Sequence, residues 1–219
     1  GGALSLGQTL TDDVTLTVKN SGGGEPTGVV DITDELGHVY CSVTSFENSH
    51  GTCEFIADFI GLRTFTASYA GDANYEGSLP QSFDVTTSKA TPVITVAADP
   101  AASVVGQDVH FTVTVTGVAG YPPTDRAFIR YDNGQNCPSF DLVNGTGGCT
   151  INFSFSGPRT LTIVYSGDDH YTQVNKSSDY VVNLAGAIPV ILSTNPSPSL
   201  PSQSFTINFE VAAQAPGNG

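Results

Sequence analysis

The sequence holds no methionine and no tryptophan, and only 7 of its 219 residues are lysine or arginine. Against 21 aspartates and glutamates, this leaves a formal net charge of −14. So few cations cannot build a phosphate footprint, which excludes nucleic acid and anionic lipid as partners of a basic face. Charged residues of both signs make up 13% of the chain, about half the usual share. No run of 18 apolar residues occurs, so no transmembrane segment is expected. With no signal peptide and no methionine, the chain reads as a processed product or an excised fragment. The cysteines form no Cys-x-x-Cys, which argues against zinc and thioredoxin chemistry. There is no Gly-x-Ser-x-Gly, no His-Glu-x-x-His and no phosphate loop, and His38, His50, His110 and His170 share no ligand spacing. No enzyme and no cofactor are therefore expected.

What fills the gap is Thr, Ser, Asn and Gly, a composition that favours strands and turns. Hydrophobic residues at 39% are enough for cores, and 24 Gly with 13 Pro stay below the level of a disordered or collagenous chain. His110-Phe-Thr-Val-Thr-Val-Thr116 alternates strictly, with Phe111, Val113 and Val115 on one face and His110 pointing outward. Val14, Leu16 and Val18 alternate in the same way, as do Phe65, Ala67 and Tyr69, and Leu161, Ile163 and Tyr165. Asn20-Ser-Gly-Gly-Gly24, Asn133-Gly134 and Asn144-Gly145 supply turns between such runs. No helical periodicity is sustained anywhere.

The chain repeats itself. Cys41 and Cys53 are 12 positions apart, as are Cys137 and Cys149, and the two pairs are offset by 96. The same offset carries Gly61, Arg63, Tyr69, Gly71, Asp72 and Tyr75 onto Gly157, Arg159, Tyr165, Gly167, Asp168 and Tyr171. A unit of this length is near the size of an immunoglobulin-like sandwich. A third copy begins: Pro92-Val-Ile-Thr-Val96 recurs as Pro189-Val-Ile-Leu-Ser193, and Val109, Phe111, Val113 and Val115 recur as Phe205, Ile207, Phe209 and Val211. The first copy shows nothing like the Pro-Val-Ile strand before Gly7. The expected organisation is a first domain at 1–88 lacking its first strand, a second at 89–185, and a segment at 186–219 holding the first strands of a third repeat. Linkers are placed at Thr87–Pro92 and Ala185–Pro189, short enough to suggest a semi-rigid rod.

Tyr-x-Gly-Asp-x-x-Tyr near the end of each unit, the Pro-Val-Ile-Thr-Val opening and the Val104-Val-Gly-Gln107 step together resemble the tandem bacterial Ig-like domains of secreted and cell-surface proteins. The resemblance implies an all-β fold of tandem immunoglobulin-like β-sandwiches with a partial third repeat. It places the Tyr-Gly-Asp motif between the last two strands, and a Pro-Thr-Gly like Pro26-Thr-Gly28 before the third. Such modules serve as spacers, stalks, adhesins and filament subunits alike, so the resemblance speaks to fold more than to function. The cysteine pairs depart from the commoner members, which have none.

An even cysteine count with matched spacing reads as two disulfides, Cys41–Cys53 and Cys137–Cys149, and an oxidising location. Each would staple a hairpin between the fourth and fifth strands, stabilising by roughly 3 kcal/mol. Buried free thiols are the alternative, opposed by the identical spacing. Asp72 and Asp168 are expected to accept backbone N–H groups in a Gly-containing turn. Calcium at those two residues, helped by Asp169, Asp12 or Asp13, is the weaker reading, because calcium asks for six to eight oxygens. Asp31, Asp34 and Glu35 read as one solvated acidic face. Lys19 and Lys89 raise an isopeptide cross-link, disfavoured because Lys19 alternates outward. Asn144, Asn152 and Asn175 head sequons and are candidate glycosylation sites.

Two functions remain. One is an extracellular rod or filament component, polymerised end to end with copies of itself or stacked on neighbouring repeats of its own chain. The missing first strand would leave a groove, and Val190, Ile191 and Leu192, with Phe205, Ile207 and Phe209, would form a donor segment that fills it. An arbitrary window on a longer array explains the broken repeats equally well. The other function is an adhesin or a carbohydrate- or receptor-binding spacer, for which Tyr40 and Tyr121 are the few aromatic candidates outside the core pattern.

Overall fold

Alternating Thr and β-branched or aromatic residues pack well on a pleated surface and poorly on a helix, and the computed structural model is built from strands throughout. It describes residues 4–17, 24–131, 135–195 and 197–216. Val18, Lys19, Asn133-Gly134 and most of the 20–24 turn lie outside these residues. The chain divides into two compact units. The first comprises Gly1–Ala90 with Val118–Tyr121 and Asp169–Tyr171, and the second Thr91–Gly117, Pro122–Asp168 and Thr172–Gly219.

Among the described residues, the first unit has seven strands: β1 (Leu4–Ser5), β2 (Thr9–Thr15), β3 (Val30–Asp34), β4 (Val39–Val43), β5 (His50–Ile56), β6 (Gly61–Tyr69) and β7 (Gln81–Ser88). Five form one sheet in the order β1-β7-β6-β3-β4, and β2-β5 form the other. Val14, Val30, Ile32, Val43, Phe55, Phe59, Phe65 and Val85 close a core between them. Phe65 is completely buried, with the Tyr40, Phe55, Phe59 and Phe83 rings 5.0–5.8 Å away.

Among the described residues, the second unit repeats the plan with two strands more. Its strands are β8 (Val93–Asp99), β9 (Ser103–Val104), β10 (Asp108–Thr116), β11 (Arg126–Tyr131), β12 (Gln135–Asn136), β13 (Phe140–Asp141), β14 (Thr146–Asn152), β15 (Gly157–Tyr165) and β16 (Val174–Asn183). One sheet runs β14-β10-β8, the other β12-β11-β15-β16-β9 with β13 beside β11. Val109, Phe111, Val113 and Val115 are all 2% exposed or less, and Phe111 meets the Phe153 and Tyr180 rings edge-on. His110 is exposed, as alternation demands. The Asn144-Gly145 turn has φ of 51° and 76° and is clasped by paired hydrogen bonds between Val143 and Thr146. These are the angles of the tight turn that Asn-Gly favours. Two further strands, β17 (Ala187–Asn195) and β18 (Thr206–Ala213), pair only with each other among the described residues.

Three expectations are corrected. Cys41 and Cys53 are joined, with Cα atoms 6.1 Å apart, and so are Cys137 and Cys149, at 6.5 Å. Neither bond staples a hairpin. Cys41 lies on β4 and Cys53 on β5, in opposite sheets, and Cys137 precedes β13 while Cys149 lies on β14. The chain makes a tight turn after the first cysteine and crosses to the facing sheet, so each disulfide ties one sheet to the other. Asp34 is not on a solvated face. It alternates with Val30 and Ile32 into the core, where Arg63 lies 3.5 Å away and the Leu36 and His38 N–H groups donate to it. Burial opposes its charge, but those donors and Arg63 hold its carboxyl below the ordinary value. Finally, strands reach into both predicted linkers, with Thr87 and Ser88 at the end of β7 and Ala187–Pro189 at the start of β17.

Candidate functional site

The register of pairing identifies what the first unit leaves open. Val109 lies opposite Ile151, and Leu10 lies opposite Phe55. Phe55 and Ile151 are 96 positions apart, so Leu10 is the counterpart of Val109, at an offset of 99. On this alignment Asp12, Val14 and Leu16 stand where Phe111, Val113 and Val115 stand in the second unit. Likewise β1, parallel to β7, holds the place of β9, parallel to β16. Strand β8 pairs with β10 and also touches β16. Among the described residues, no strand takes that place in the first unit.

The edge of β2 is consequently unpaired, and a groove of about 1250 Å³ runs beside it. Asp12, Val14, Leu16, Val30, Tyr69 and Phe83 are among the residues that line it. Leu10, Asp12 and Leu16 are half-buried, whereas the matching side chains of β10 are buried. Partial burial raises the Asp12 carboxyl above its ordinary value, and the Asp13 charge adds to this. This aspartate, on the inner face of a sandwich strand and across from the buried Cys53, stands where the second unit has the buried Phe111.

The β17–β18 hairpin carries the donor candidates, and every one is exposed: Val190 36%, Ile191 66%, Leu192 60%, Phe205 55%, Ile207 46% and Phe209 63%. Its connection shows that it is built like β8 to β10. In the second unit the Gln107 side chain accepts the Val104 N–H at 3.1 Å, and the Gln107 N–H returns to the Val104 carbonyl. Gln8 does the same with Ser5, and Gln203 with Leu200. The residue before each glutamine has positive φ: Gly7 81°, Gly106 79°, Ser202 64°. This glutamine clamp occurs three times. Its sequence signal, a Gln three residues after an apolar or Ser position, was too short to stand out in all three copies.

The Tyr-Gly-Asp motif proves to be a bolt. Asp72 accepts N–H groups from Thr27 at 2.7 Å, Asn74 at 2.7 Å and Tyr75 at 2.9 Å, together with the Tyr69 hydroxyl at 2.8 Å. The Thr27 N–H, then that of Asn74, holds its carboxyl far below the ordinary value. Asp168 accepts the Thr124 N–H and hydroxyl at 2.8 and 3.0 Å. Burial, then the Asp168 carboxylate, pushes the Tyr165 phenol up. Gly71 has φ of 90°, and a Cβ there would lie 2.9 Å from the Gly77 nitrogen and the Tyr75 carbonyl. A carboxylate surrounded by donors has its lone pairs engaged by protein, which is the opposite of a calcium ligand set. Among the described residues, no group of three His, Cys, Asp or Glu side chains could hold a metal.

Of the sequon residues, Asn144 sits exposed in its turn and Asn175 exposed on β16. The Asn152 amide is engaged, donating to the Gly106 carbonyl and the Asp108 carboxylate, each at 2.8 Å. Tyr40 is half-buried, hydrogen-bonded to Asp58 at 3.0 Å and contacted by Arg63, so it forms no binding platform. Burial, then Asp58, pushes its phenol up to about 12. The Tyr121 carbonyl accepts the Tyr171 hydroxyl at 2.6 Å. The isopeptide lysine Lys19 lies outside the described residues.

Residues 95–185 match the bacterial Ig-like domain, group 3. No curated protein sequence matches the chain closely enough to be a relative. Among solved structures, the chain is similar to fibronectin(III)-like modules of Clostridium thermocellum CbhA at 15% identity and a TM-score of 0.34, over 84% of this chain and 90% of that one. It is similar to the Yersinia pseudotuberculosis adhesin InvE at 19% identity and a TM-score of 0.35, over 81% of this chain and 56% of that one. It is similar to domains A168–A170 of titin at 9% identity and a TM-score of 0.45, over 85% of this chain and 64% of that one. No helix of the described residues is long and apolar enough to cross a membrane.

Proposed function

We propose that this chain, which carries a bacterial Ig-like domain at residues 95–185, is a non-enzymatic structural segment of an extracellular fibre or stalk. In that assembly the open edge of its first unit is completed by a strand from another repeat. The observation that carries this is the groove beside β2, at the place where β8 completes the second unit.

An unpaired strand edge next to half-buried apolar side chains is a liability that folded proteins cover. The chain itself contains the right cover, a Pro-Val-Ile strand whose side chains are exposed. Adding a strand to a sheet edge uses main-chain hydrogen bonds for affinity and alternate side chains for specificity. The acceptor groove and the donor hairpin are different surfaces of one chain. Their contact is therefore heterologous, and unless the rotation closes it propagates head to tail. Two inter-sheet disulfides suit an oxidising, extracellular setting.

Electron microscopy of the purified chain over a range of concentrations, with sedimentation velocity alongside, tests this. Fibres or rods that lengthen with concentration are expected. Monodisperse particles of a single chain at every concentration would overturn the proposal.

A further inference from the structure

Resting on that reading, we infer that the occupant of the groove is β17 of a second copy, held in register by a hydrogen bond from the Asn195 amide to the Asp12 carboxylate. In the second unit, Ile94, Val96 and Ala98 of β8 lie opposite Val115, Val113 and Phe111. The first unit offers Leu16, Val14 and Asp12 at the latter three places. Counted from Pro189 as β8 is counted from Pro92, β17 brings Ile191, Ser193 and Asn195 to the inner face. The apolar pair Phe111–Ala98 is thus replaced on both sides at once, by Asp12 in the acceptor and Asn195 in the donor. A carboxylate covered by an alanine would lose water and gain no donor. The asparagine amide supplies two N–H groups at that point.

Charge favours the same occupant. Asp12, Asp13 and Glu76 line the groove, and the chain as a whole carries −14. Like charges brought together across an interface disfavour association. Residues 180–209 hold no charged side chain, so β17 enters the groove without adding one.

The donor is also free to leave its present partner. All nine residues of β17 are exposed, and its pairing with β18 is broken by an irregularity between Ile191 and Ser193. The β8–β10 ladder runs unbroken over seven pairs. A two-stranded hairpin with no third layer is marginal in water. Since β18 and β2 are counterparts of the same strand, β10, exchanging β18 for β2 keeps the antiparallel sense. In the hairpin Ile191 stands opposite Phe209, the counterpart of Val113, and Asn195 opposite Thr206. Taking the unbroken register of β8 therefore slides β17 by two residues at Ile191 and by one at Asn195, which removes the irregularity and sets Ile191 against Leu16.

The test is a double-mutant cycle on the association of the whole chain, read by sedimentation velocity. Asp12→Phe and Asn195→Ala should each weaken association about tenfold, the size of one hydrogen bond to a charged group. The double variant, which recreates the Phe–Ala pair of the second unit, should return to within a few-fold of the original. Ile191→Asp should abolish association. Asn195 and Ile191 lie on the exposed hairpin, so their variants leave the sandwich cores untouched, and a circular-dichroism melt checks Asp12→Phe. Single variants without effect, or effects that add in the double variant, overturn the Asp12–Asn195 pair while loss through Ile191→Asp still supports strand addition. Association unchanged by Ile191→Asp overturns the occupant, because another strand then fills the groove. An original chain that never associates overturns the underlying reading.

Discussion

The Asp72 carboxylate accepts the backbone N–H of Thr27, 45 residues upstream, at 2.7 Å. That single bond ties the loop after β6 to the segment that enters β3, and Asp168 repeats it with Thr124 at 2.8 Å in the second unit. The paired contacts explain why Tyr-Gly-Asp recurs: the glycine permits the turn, the aspartate closes it, and Tyr69 donates to the same oxygen as Thr27.

Replacing Asp72 by alanine removes the acceptor of all these donors and should lower the melting temperature, whereas asparagine, which keeps one acceptor oxygen, should lower it less. The pH dependence has a definite sign. The folded carboxyl is held below its unfolded value, so its contribution is present above about pH 4 and is lost as pH falls further. Asp34 acts in the same direction. Melts between pH 7 and pH 2 should show a falling midpoint, and a flatter fall in Asp72→Asn. An unchanged pH profile in that variant would remove Asp72 from the acid-sensitive set.

The disulfides join sheets, so breaking one should loosen a whole unit. Replacing Cys41 and Cys53 by serine, with Cys137–Cys149 intact, should destabilise the first unit by about 3 kcal/mol, equivalent to a melting shift of roughly 10–20 °C for a domain of this size. Thermal denaturation with and without reductant checks it. The variant should also respond less to reductant than the original chain does.

Phe65 is the centre of the first core, with four aromatic rings around it. Truncation to alanine should cost about 3–5 kcal/mol. Urea unfolding followed by far-ultraviolet circular dichroism measures this. A loss below about 1 kcal/mol would mean that the core repacks around the gap.

Tyr40 should titrate near pH 12, late among the phenols, because burial and the bond to Asp58 disfavour its charged form. A raised folded value makes a contribution that is complete below about pH 10, the unfolded value, and is lost as pH rises toward 12. Ultraviolet titration of the phenolates, compared with Tyr40→Phe, should show one late-titrating group disappear. Alkaline unfolding should begin at a pH that the substitution alters.

Period-two alternation, the 96-residue offset, the cysteine spacing and the Tyr-Gly-Asp motif were legible because each is carried by residues close in sequence or repeated at a fixed interval. Alternation says which side chains share a face. It does not say which sheet a strand joins, and there the reading failed: the strands that carry the cysteines of the first unit belong to opposite sheets. Asp34 was misplaced for a related reason. An acidic triplet looks solvated until the core-facing parity of β3 and the arrival of Arg63, 29 residues on, are known.

By itself, the sequence determined an acidic, strand-built, disulfide-paired repeat, because composition, spacing and side-chain period are local properties of the chain. Only the tertiary structure decided that Asp12 stands in the place of Phe111. The offset there is 99 and not 96, and pairing with β5 reveals what the intervening change in length conceals. It also decided that an open groove lies beside that residue and that the Pro189 strand is exposed. Those facts depend on which strands pair across long stretches of chain, and such pairing is settled by burial and backbone hydrogen bonding in the folded state.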